Sequence, residues 1–287
     1  MADSVHRHHH AHHRDQREGD HDAPDPAAMA TILDLDAAVT GHYRDEAIDV
    51  ISARVATPQT ILDLGAGTGA GTLALARRFP TARVIALDNS PELLGRLSRT
   101  AQAAGCADRV ETRIADLDTA VPGDLDGADI AWASSTLHHF ADPQALLHST
   151  FAALRPGGVI AVLEISALPS FLPPDSPEGV VEGRLHDLTA QQGWNAYPDW
   201  GHTITAAGFD LVEHRQIVTD LADPPSATAE YAATWFARVR DGLRESISND
   251  DLAVVDELLA DDHPNSLHHR QDLTVRAARI IWIGVKP

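Results

Sequence analysis

The fold is decided by residues 61–69, which read Ile61-Leu62-Asp63-Leu64-Gly65-Ala66-Gly67-Thr68-Gly69. Three of the first four residues, Ile61, Leu62 and Leu64, are apolar as in a buried strand, and a helical pattern begins near residue 71. Glycines permit a tight turn and a close approach of ligand to backbone, and a helix N-terminus offers unpaired N–H groups and a partial positive charge. The stretch therefore predicts a nucleotide-type site at the carboxyl edge of a parallel sheet.

Strand-like and helix-like segments alternate around this turn. The predicted strands are 60–64, 83–87, 109–114, 128–133 and 159–164, and the predicted helices between them are 71–79, 92–104 and 143–154. Ser90-Pro91 and Asp142-Pro143 each provide a capping side chain followed by proline in the first helical turn. This order predicts an α/β domain with a doubly wound, mostly parallel sheet and helices on both faces.

The flanking segments are less regular. Residues 1–28 are predicted to be a disordered tail rich in histidine, whose clustered imidazoles are also compatible with a soft divalent metal. We expect a helix over 37–55, an irregular, proline-rich excursion over 168–177, a strand over 209–218, helices over 227–243 and 251–259, and a last strand over 277–285. The domain thus spans 29–287, with a ligand-binding core at 58–165 and lid or substrate-facing segments at about 166–205 and 220–270.

The amino-acid composition disfavours some classes of binding partner. The formal net charge of -20 disfavours nucleic acid and anionic membranes, because both attract clustered Lys and Arg. One cysteine, Cys106, cannot form an internal disulfide, and no signal peptide or membrane span is recognisable, so we expect a cytoplasmic protein acting on a small molecule. The only lysine is Lys286, next to the chain's end, which disfavours Schiff-base and phosphate-loop chemistry. No resident metal and no particular oligomeric state are predicted.

Glycine spacing alone leaves two ligands open, because Gly65, Gly67 and Ala70 also fit a dinucleotide-binding turn. Two carboxylates help to distinguish these ligands. Asp63, expected at the mouth of the turn, repels a pyrophosphate and attracts an ammonium group. Asp88, at the end of the second strand, is placed to accept the hydroxyls of a ribose, which suits either ligand.

Residues 61–69 resemble the first signature of the class I S-adenosylmethionine-dependent methyltransferases. Three further segments resemble that family in order: Ile114-Ala115-Asp116-Leu117, Ala133-Ser134-Ser135-Thr136-Leu137-His138-His139-Phe140, and Leu154-Arg155-Pro156-Gly157-Gly158. The resemblance covers about 58–165 and implies a seven-stranded Rossmann-like sheet with an antiparallel last strand. It implies S-adenosylmethionine as cofactor, held by Asp63, Gly65, Ala66, Gly67, Gly69, Asp88, Asn89, Ala115, Asp116, Leu117 and Ser134.

The implied activity is methyl transfer from S-adenosylmethionine to an oxygen, nitrogen or carbon atom of a small acceptor, releasing S-adenosylhomocysteine. Proximity alone can supply about 7 to 11 kcal/mol, so a base is optional. Two alternatives stay open. The first is a nicotinamide-dependent oxidoreductase, and the second is a protein that binds the cofactor without turnover.

The catalytic candidates are His138 and His139, which either remove a proton from an attacking hydroxyl or only shape the methionine pocket. His202 and Glu164 are weaker candidates. Aromatic residues outside the resembling core form either an apolar lid over the acceptor or part of the packed core. These residues are Trp194, Tyr197, Trp200, Tyr231, Trp235 and Phe236.

Overall fold

A computed structural model of the chain describes residues 26–194 and 197–287. The predicted histidine tail lies outside the described residues except for its last three positions, which already belong to a helix. The first helix, α1, is Pro26–Thr40, and Gly41 separates it from α2, His42–Ser52. Two helices therefore stand where the periodicity predicted one over 37–55.

The sheet has seven strands in the order β3-β2-β1-β4-β5-β7-β6. The strands are β1 Thr60–Leu64, β2 Arg83–Asp88, β3 Val110–Ile114, β4 Ala128–Ser134, β5 Leu154–Ser170, β6 Asp210–Leu221 and β7 Val275–Val285. The first five pair in parallel, whereas β7 lies antiparallel to both β5 and β6. The predicted doubly wound sheet and its antiparallel last strand are confirmed.

The remaining helices cover the sheet and its edge. They are α3 Ala70–Arg78, α4 Pro91–Ala103, α5 Pro143–Ala153, α6 Pro177–Gln191, α7 Gly201–Ala206, α8 Thr228–Leu243 and α9 Asn249–Leu259. Ser90 and Asp142 cap α4 and α5 through hydrogen bonds from the N–H groups of Leu93 and Ala145. The capping pattern read from the sequence is therefore confirmed at both helices.

Strands β1, β2 and β4 are buried on both faces. Because both faces are buried, their sequences are mostly apolar at successive positions. One face packs against α2, α3 and α4 through residues such as Ile61, Leu75 and Leu97. The other packs through Leu62 and Leu147, toward α5 and α7. Burial on both sides holds the carboxyl ends of these strands, and the loops that follow them, in fixed positions.

The region after Glu164 differs from the prediction. Instead of turning into an irregular excursion, β5 continues to Ser170, because β7 pairs with it as far as the Ser170–Arg276 register. The proline-rich stretch is short and is followed by α6, which the sequence analysis did not predict. A third apolar cluster joins α1, α6, α8 and α9 beside this extension, with Leu35, Leu185 and Phe236 among its members.

Candidate functional site

The glycine turn after β1 is anchored to the neighbouring strand. The N–H groups of Gly65 and Ala66 both donate to the carbonyl of Leu87, at 2.9 and 3.0 Å. Gly65 has φ of +69°, and a Cβ placed on it would lie 2.0 Å from the Oγ1 of Thr136. A side chain at residue 65 would therefore be strained by its backbone and would collide with the loop that follows β4.

Asp88 holds the other side of the same turn. Its Oδ2 accepts a hydrogen bond from the N–H of Gly67 and its Oδ1 accepts one from the N–H of Ser90, both at 2.9 Å. A carboxylate has about four lone-pair sites, so both oxygens keep acceptor capacity. Asp88 thus orders the turn and can still accept the two hydroxyls of a ribose, while its neighbour Asn89 is exposed beside it.

Asp63 lies beneath the turn, although the sequence analysis placed it at the mouth. Its side chain is 2% exposed, and its Oδ2 accepts a hydrogen bond of 2.5 Å from the hydroxyl of Thr72 in α3. Burial raises the pKa of Asp63 to about 7; the Thr72 hydrogen bond opposes that rise, and the charge of Asp88 adds to it. Asp63 is therefore a buried carboxyl below the turn, with a pKa near neutrality, and its contact with an ammonium group stays a prediction.

The end of β3 exposes an apolar surface at Ile114. Ile114 is 65% exposed, whereas Ala115 and Leu117 are buried. Asp116 is exposed and its Oδ1 accepts from the N–H of Asp118, while Asp118 accepts from the N–H of Ala141. Asp116 therefore faces solvent beside this surface, and Asp118 ties the segment to the loop after β4.

Glu164 organises the loop after β4. It is 4% exposed, and its Oε1 accepts hydrogen bonds from the N–H groups of Thr136 and Leu137 at 2.9 and 2.8 Å. Its Oε2 lies 2.7 Å from the Nδ1 of His138. A carboxylate only accepts, so Nδ1 carries the proton and Nε2 of the neutral ring is left with a free lone pair.

The contacts of Glu164 give it a larger role than the weaker candidacy expected from the sequence. The signal was available, because β5 neighbours β4 in a parallel sheet and the acid that ends the predicted strand 159–164 must lie beside the loop that follows β4. Ser134, the last residue of β4, is partly buried, and Ser135 takes φ of +52° as the chain turns toward His138. The carboxylate therefore fixes the rotation of His138 as well as its tautomer.

His139 stands beside His138, with ring centroids 4.0 Å apart. Burial lowers the pKa of His139 and the neighbouring His138 lowers it further, against an opposing effect of Glu164. His139 has no carboxylate bound to its ring among the described hydrogen bonds, so it lacks the orientation that Glu164 gives to His138. His202 is exposed on α7.

Helix α1 covers the turn from above, a role that the sequence analysis did not assign. A Cβ on Gly67 would lie 3.4 Å from the Cδ1 of Leu33 in α1. The Oδ1 of Asp36 accepts from the guanidinium of Arg279 in β7 at 2.7 Å and from the hydroxyl of Tyr231 in α8 at 2.8 Å. A buried ion pair and a buried hydroxyl thus fasten α1 across the carboxyl edge of the sheet.

Of the six aromatic residues predicted to form either a lid or part of the core, four are buried and two are exposed. Trp200 packs in the core beside β7, and Tyr231, Trp235 and Phe236 are buried in the cluster that joins α1, α6, α8 and α9. Trp194 and Tyr197 are each 39% exposed. Only these two have the exposure expected of a lid.

The residues at this edge fit S-adenosylmethionine. The glycines leave their positions in the turn free of side chains, Asp88 keeps free acceptor sites, and Ile114 offers a surface for a planar ring. Within the described ranges, no group of three or more His, Cys, Asp or Glu side chains is arranged to hold a metal ion. Nor does that part of the chain contain a helix long and apolar enough to cross a membrane.

Comparisons with known proteins agree with this geometry. Residues 61–158 match a family model described as a methyltransferase domain. Trans-aconitate 2-methyltransferase of Variovorax paradoxus is 35% identical over 168 residues, covering 57% of this chain and 59% of that protein. Arsenite methyltransferase of Halobacterium salinarum is 26% identical over 225 residues, covering 76% of this chain and 50% of that protein. The chain therefore spans less than two thirds of the length of these relatives.

A solved structure shares the fold. A Bacillus halodurans protein described as a candidate methyltransferase superposes with a TM-score of 0.54 at 17% identity, covering 85% of this chain and 98% of that one. The glycine turn, the strand order with its antiparallel β7 and the match over 61–158 point to the same family. Together these findings support a class I S-adenosylmethionine-dependent methyltransferase, whose methyltransferase domain is matched at residues 61–158.

Proposed function

We propose that this protein transfers a methyl group from S-adenosylmethionine to a hydroxyl oxygen of a small-molecule acceptor, with His138 as the base. The observation that carries the proposal is the 2.7 Å contact between Glu164 and His138. A buried carboxylate that orders a loop and also orients an imidazole is a costly arrangement, and a pocket needing only shape does not require it.

In this proposal the turn between β1 and α3 would hold the cofactor, Asp88 would accept from its ribose, and Ile114, Ala115 and Leu117 would line its adenine. Asp116 and Asn89 would contribute from the exposed rim and Ser134 from the end of β4, while α1 would exclude water. When bound, S-adenosylmethionine supplies a methyl group already activated by a sulfonium. The main tasks of the chain are to position the acceptor and to remove its proton.

The proton is taken by the Nε2 of His138. Glu164 keeps the proton of the neutral ring on Nδ1, so Nε2 can accept the hydroxyl proton as the oxygen attacks. The imidazolium that results lies against the Glu164 carboxylate, which stabilises it. Burial and the adjacent His138 lower the pKa of His139, which disfavours a second positive charge beside the imidazolium of His138.

A second candidate is methylation of a carboxylate. The relative from Variovorax paradoxus is named for trans-aconitate, a carboxylic acid. A carboxylate is ionised at neutral pH and needs no base, so this reaction would leave the contact between Glu164 and His138 without a catalytic task. The two candidates therefore differ in what His138 does. The small-molecule acceptor and the cytoplasmic location stay predictions in either case.

The test is to incubate the protein with methyl-labelled S-adenosylmethionine and a panel of phenols, aliphatic alcohols and carboxylic acids that includes trans-aconitate. Mass spectrometry of the labelled product then identifies the methylated atom. The proposal expects an ether oxygen. Labelled esters alone would establish the second candidate, and binding of the cofactor with no labelled product from any class would favour a protein that binds without turnover.

A further inference from the structure

A groove runs along one face of the sheet beyond Glu164. Strands β5, β7 and β6 continue together past the carboxyl edge, and two cavities of about 340 and 350 Å³ lie on this extension. Both cavities are lined by Ala167, Leu168 and Ser170, so they adjoin and together form the β5 groove. Each cavity has the size of a small-molecule pocket.

The β5 groove lies on the face of the sheet that carries Glu164. In the β5–β7 register, Glu164 pairs with Ile280 and Ser170 pairs with Arg276. Ile280 and Arg276 are four residues apart on β7, so their side chains and those of their partners point to the same face. Four residues of strand span about 13 Å. Ser170 therefore lies about 13 Å, along one face, from the residue that holds His138.

The near end of the groove adjoins the proposed base. Ser166 lines one of the two cavities and lies two residues after Glu164. Its Oγ accepts a hydrogen bond from the Nε2 of Gln216 at 3.1 Å, and Gln216 pairs with Ile280, the partner of Glu164. The hydroxyl of Ser166 is therefore on the face of Glu164. The groove thus begins within two residues of the acid that binds His138.

The walls of the groove suit an uncharged, largely apolar ligand. Leu168 lines both cavities, and Val218 is an apolar side chain with 61% of its surface exposed. Among the described residues that line the groove, Asp187, Asp220 and Arg276 carry charge, and Asp220 lies opposite Arg276 in the β6–β7 register. One arginine beside two carboxylates leaves no net positive charge to attract an anion.

Ser170 and His186 form a polar pair at the far end of the groove. The Oγ of Ser170 lies 3.2 Å from the Nε2 of His186, whose ring stacks on Trp235 with centroids 4.7 Å apart. Burial lowers the pKa of His186 to about 4, so the ring is neutral at neutral pH. A hydroxyl has one donor and two acceptor sites, so Ser170 keeps at least one free lone pair whichever partner donates. The pair is therefore held in place and can accept one more hydrogen bond.

We propose that the acceptor is an elongated, largely apolar molecule whose far end carries an uncharged hydrogen-bond donor, an amide or a hydroxyl, bound by the Ser170–His186 pair. This inference rests on the proposed function, which places the methylated hydroxyl at His138. Ser170 and His186 then determine specificity, because they contact the acceptor far from the reacting atoms. A compact polyacid would leave this pair without a ligand.

The experiment measures binding by calorimetry to the full chain saturated with S-adenosylhomocysteine. The probes are phenols whose para chain of two to six methylenes ends in a primary amide, each paired with a phenol whose chain ends in an isopropyl group of similar shape. The measured quantity is the Kd of the isopropyl probe divided by that of the amide probe. We expect this ratio to peak at one chain length, and Ser170→Ala to lower the peak by about three- to tenfold, the effect of one neutral hydrogen bond.

Ser166→Ala is the matched control, because it makes the same substitution at the near end of the groove. It is expected to leave both the height and the chain length of the peak unchanged. His186→Phe keeps an aromatic ring against Trp235 but removes both ring nitrogens. It is expected to lower the peak less than Ser170→Ala does, since the Ser170 hydroxyl remains. Unchanged binding of the isopropyl probe shows that each variant keeps the groove folded.

The inference is overturned if neither series binds the wild type, if the ratio does not depend on chain length, or if Ser170→Ala leaves the peak unchanged. An equal fall in Ser166→Ala contradicts the assignment to the far end. Tighter binding of the corresponding carboxylic acid than of the amide contradicts the uncharged character of the ligand. Failure of the proposed function is seen separately, as absent methyl transfer to any hydroxyl by protein that binds S-adenosylhomocysteine and the amide probes normally.

Discussion

The two halves of the sheet build the two halves of the site by different means. On the parallel side, β1, β2 and β4 end in loops fixed by main-chain hydrogen bonds and by buried carboxylates, such as that of Asp88 below Gly67. On the antiparallel side, β5 and β7 extend past the edge, and side chains from α1, α6 and α8 close over it. In the proposed function, backbone geometry therefore defines the cofactor end, whereas side-chain identity defines the acceptor end.

This contrast explains what a change in each half should do. A substitution in the parallel half disturbs a loop held by several hydrogen bonds. We therefore expect it to change cofactor affinity, the rate of methyl transfer and the stability of the fold together. A substitution in the antiparallel half changes a single contact. We therefore expect it to alter fewer of these properties.

Gly65→Ala is expected to have the largest effect. The new Cβ meets the Oγ1 of Thr136 at 2.0 Å in a backbone with φ of +69°, so the turn and the loop after β4 cannot both keep their positions. We expect S-adenosylhomocysteine affinity to fall by more than about 100-fold and stability by roughly 2 kcal/mol or more. Calorimetry and urea unfolding measure the two quantities. Gly123→Ala is the control, since no atom lies within 4 Å of its added Cβ, and an equal loss there would refute the steric argument.

Glu164→Gln is expected to reduce the rate of methyl transfer by about 10²- to 10⁴-fold. The amide oxygen still accepts from Thr136 and Leu137, but the amide nitrogen can only donate to the Nδ1 of His138, which moves the ring proton to Nε2 and removes the base. Cofactor affinity should change only a few-fold, because the loop keeps its hydrogen bonds. A parallel collapse of affinity would mean that Glu164 acts through the loop alone.

Asp63 links cofactor binding to pH. Burial raises its pKa to about 7, and the cationic cofactor favours the ionised form, so binding lowers this pKa and releases a proton. The affinity for S-adenosylmethionine should rise as pH increases from about 6 to 8, by at most about tenfold per unit, and Asp63→Asn should flatten the profile.

Glu182→Gln is the control for the effect of Asp63. Burial also raises the pKa of Glu182 to about 7, but its carboxylate binds the N–H groups of Phe171 and Leu172 away from the turn. Calorimetry in buffers of different ionisation enthalpy counts the released protons. A wild-type profile as flat as that of Asp63→Asn would show that Asp63 has no influence on the cofactor.

Tyr231→Phe is expected to have the smallest effect. It removes one buried hydrogen bond to Asp36 while Arg279 still neutralises the carboxylate, so we expect stability to fall by about 1 kcal/mol in urea unfolding. Cofactor affinity should stay within a few-fold of wild type. A loss comparable to that of Gly65→Ala would show that α1 is as essential to the cofactor end as the turn itself.

The parallel half was predictable because local sequence decides it. The glycines, the Ser90 and Asp142 caps and the apolar strands of residues 60–134 act over a few residues, and β1 begins and ends where it was predicted. The extension of β5 to Ser170 was not predictable in the same way, since it depends on pairing with Arg276, more than 100 residues away. The position of Asp63 was missed for a related reason: its side chain is drawn toward Thr72 on the following helix, which a strand pattern does not reveal.

The residues of the site were likewise predictable where local sequence decides them and unpredictable where the tertiary fold does. Asp88 and the turn follow from their place in the motif order, but the contact between Glu164 and His138 requires that β4 and β5 be neighbours. Helix α8 was located from the sequence, but the directions of its side chains were not. The direction of a side chain on α8 is set by packing against α1 and α6, and so it emerges only from the folded chain.

The central claim is that His138 removes the acceptor's proton, and the most direct measurement is the single-turnover rate of methyl transfer by His138→Asn with cofactor saturating. The asparagine amide can still donate to Glu164, so the loop is kept while the base is removed. We expect S-adenosylhomocysteine affinity near that of the wild type and a rate about 10²- to 10⁴-fold lower. A variant that transfers methyl to a hydroxyl acceptor at the wild-type rate would contradict the account.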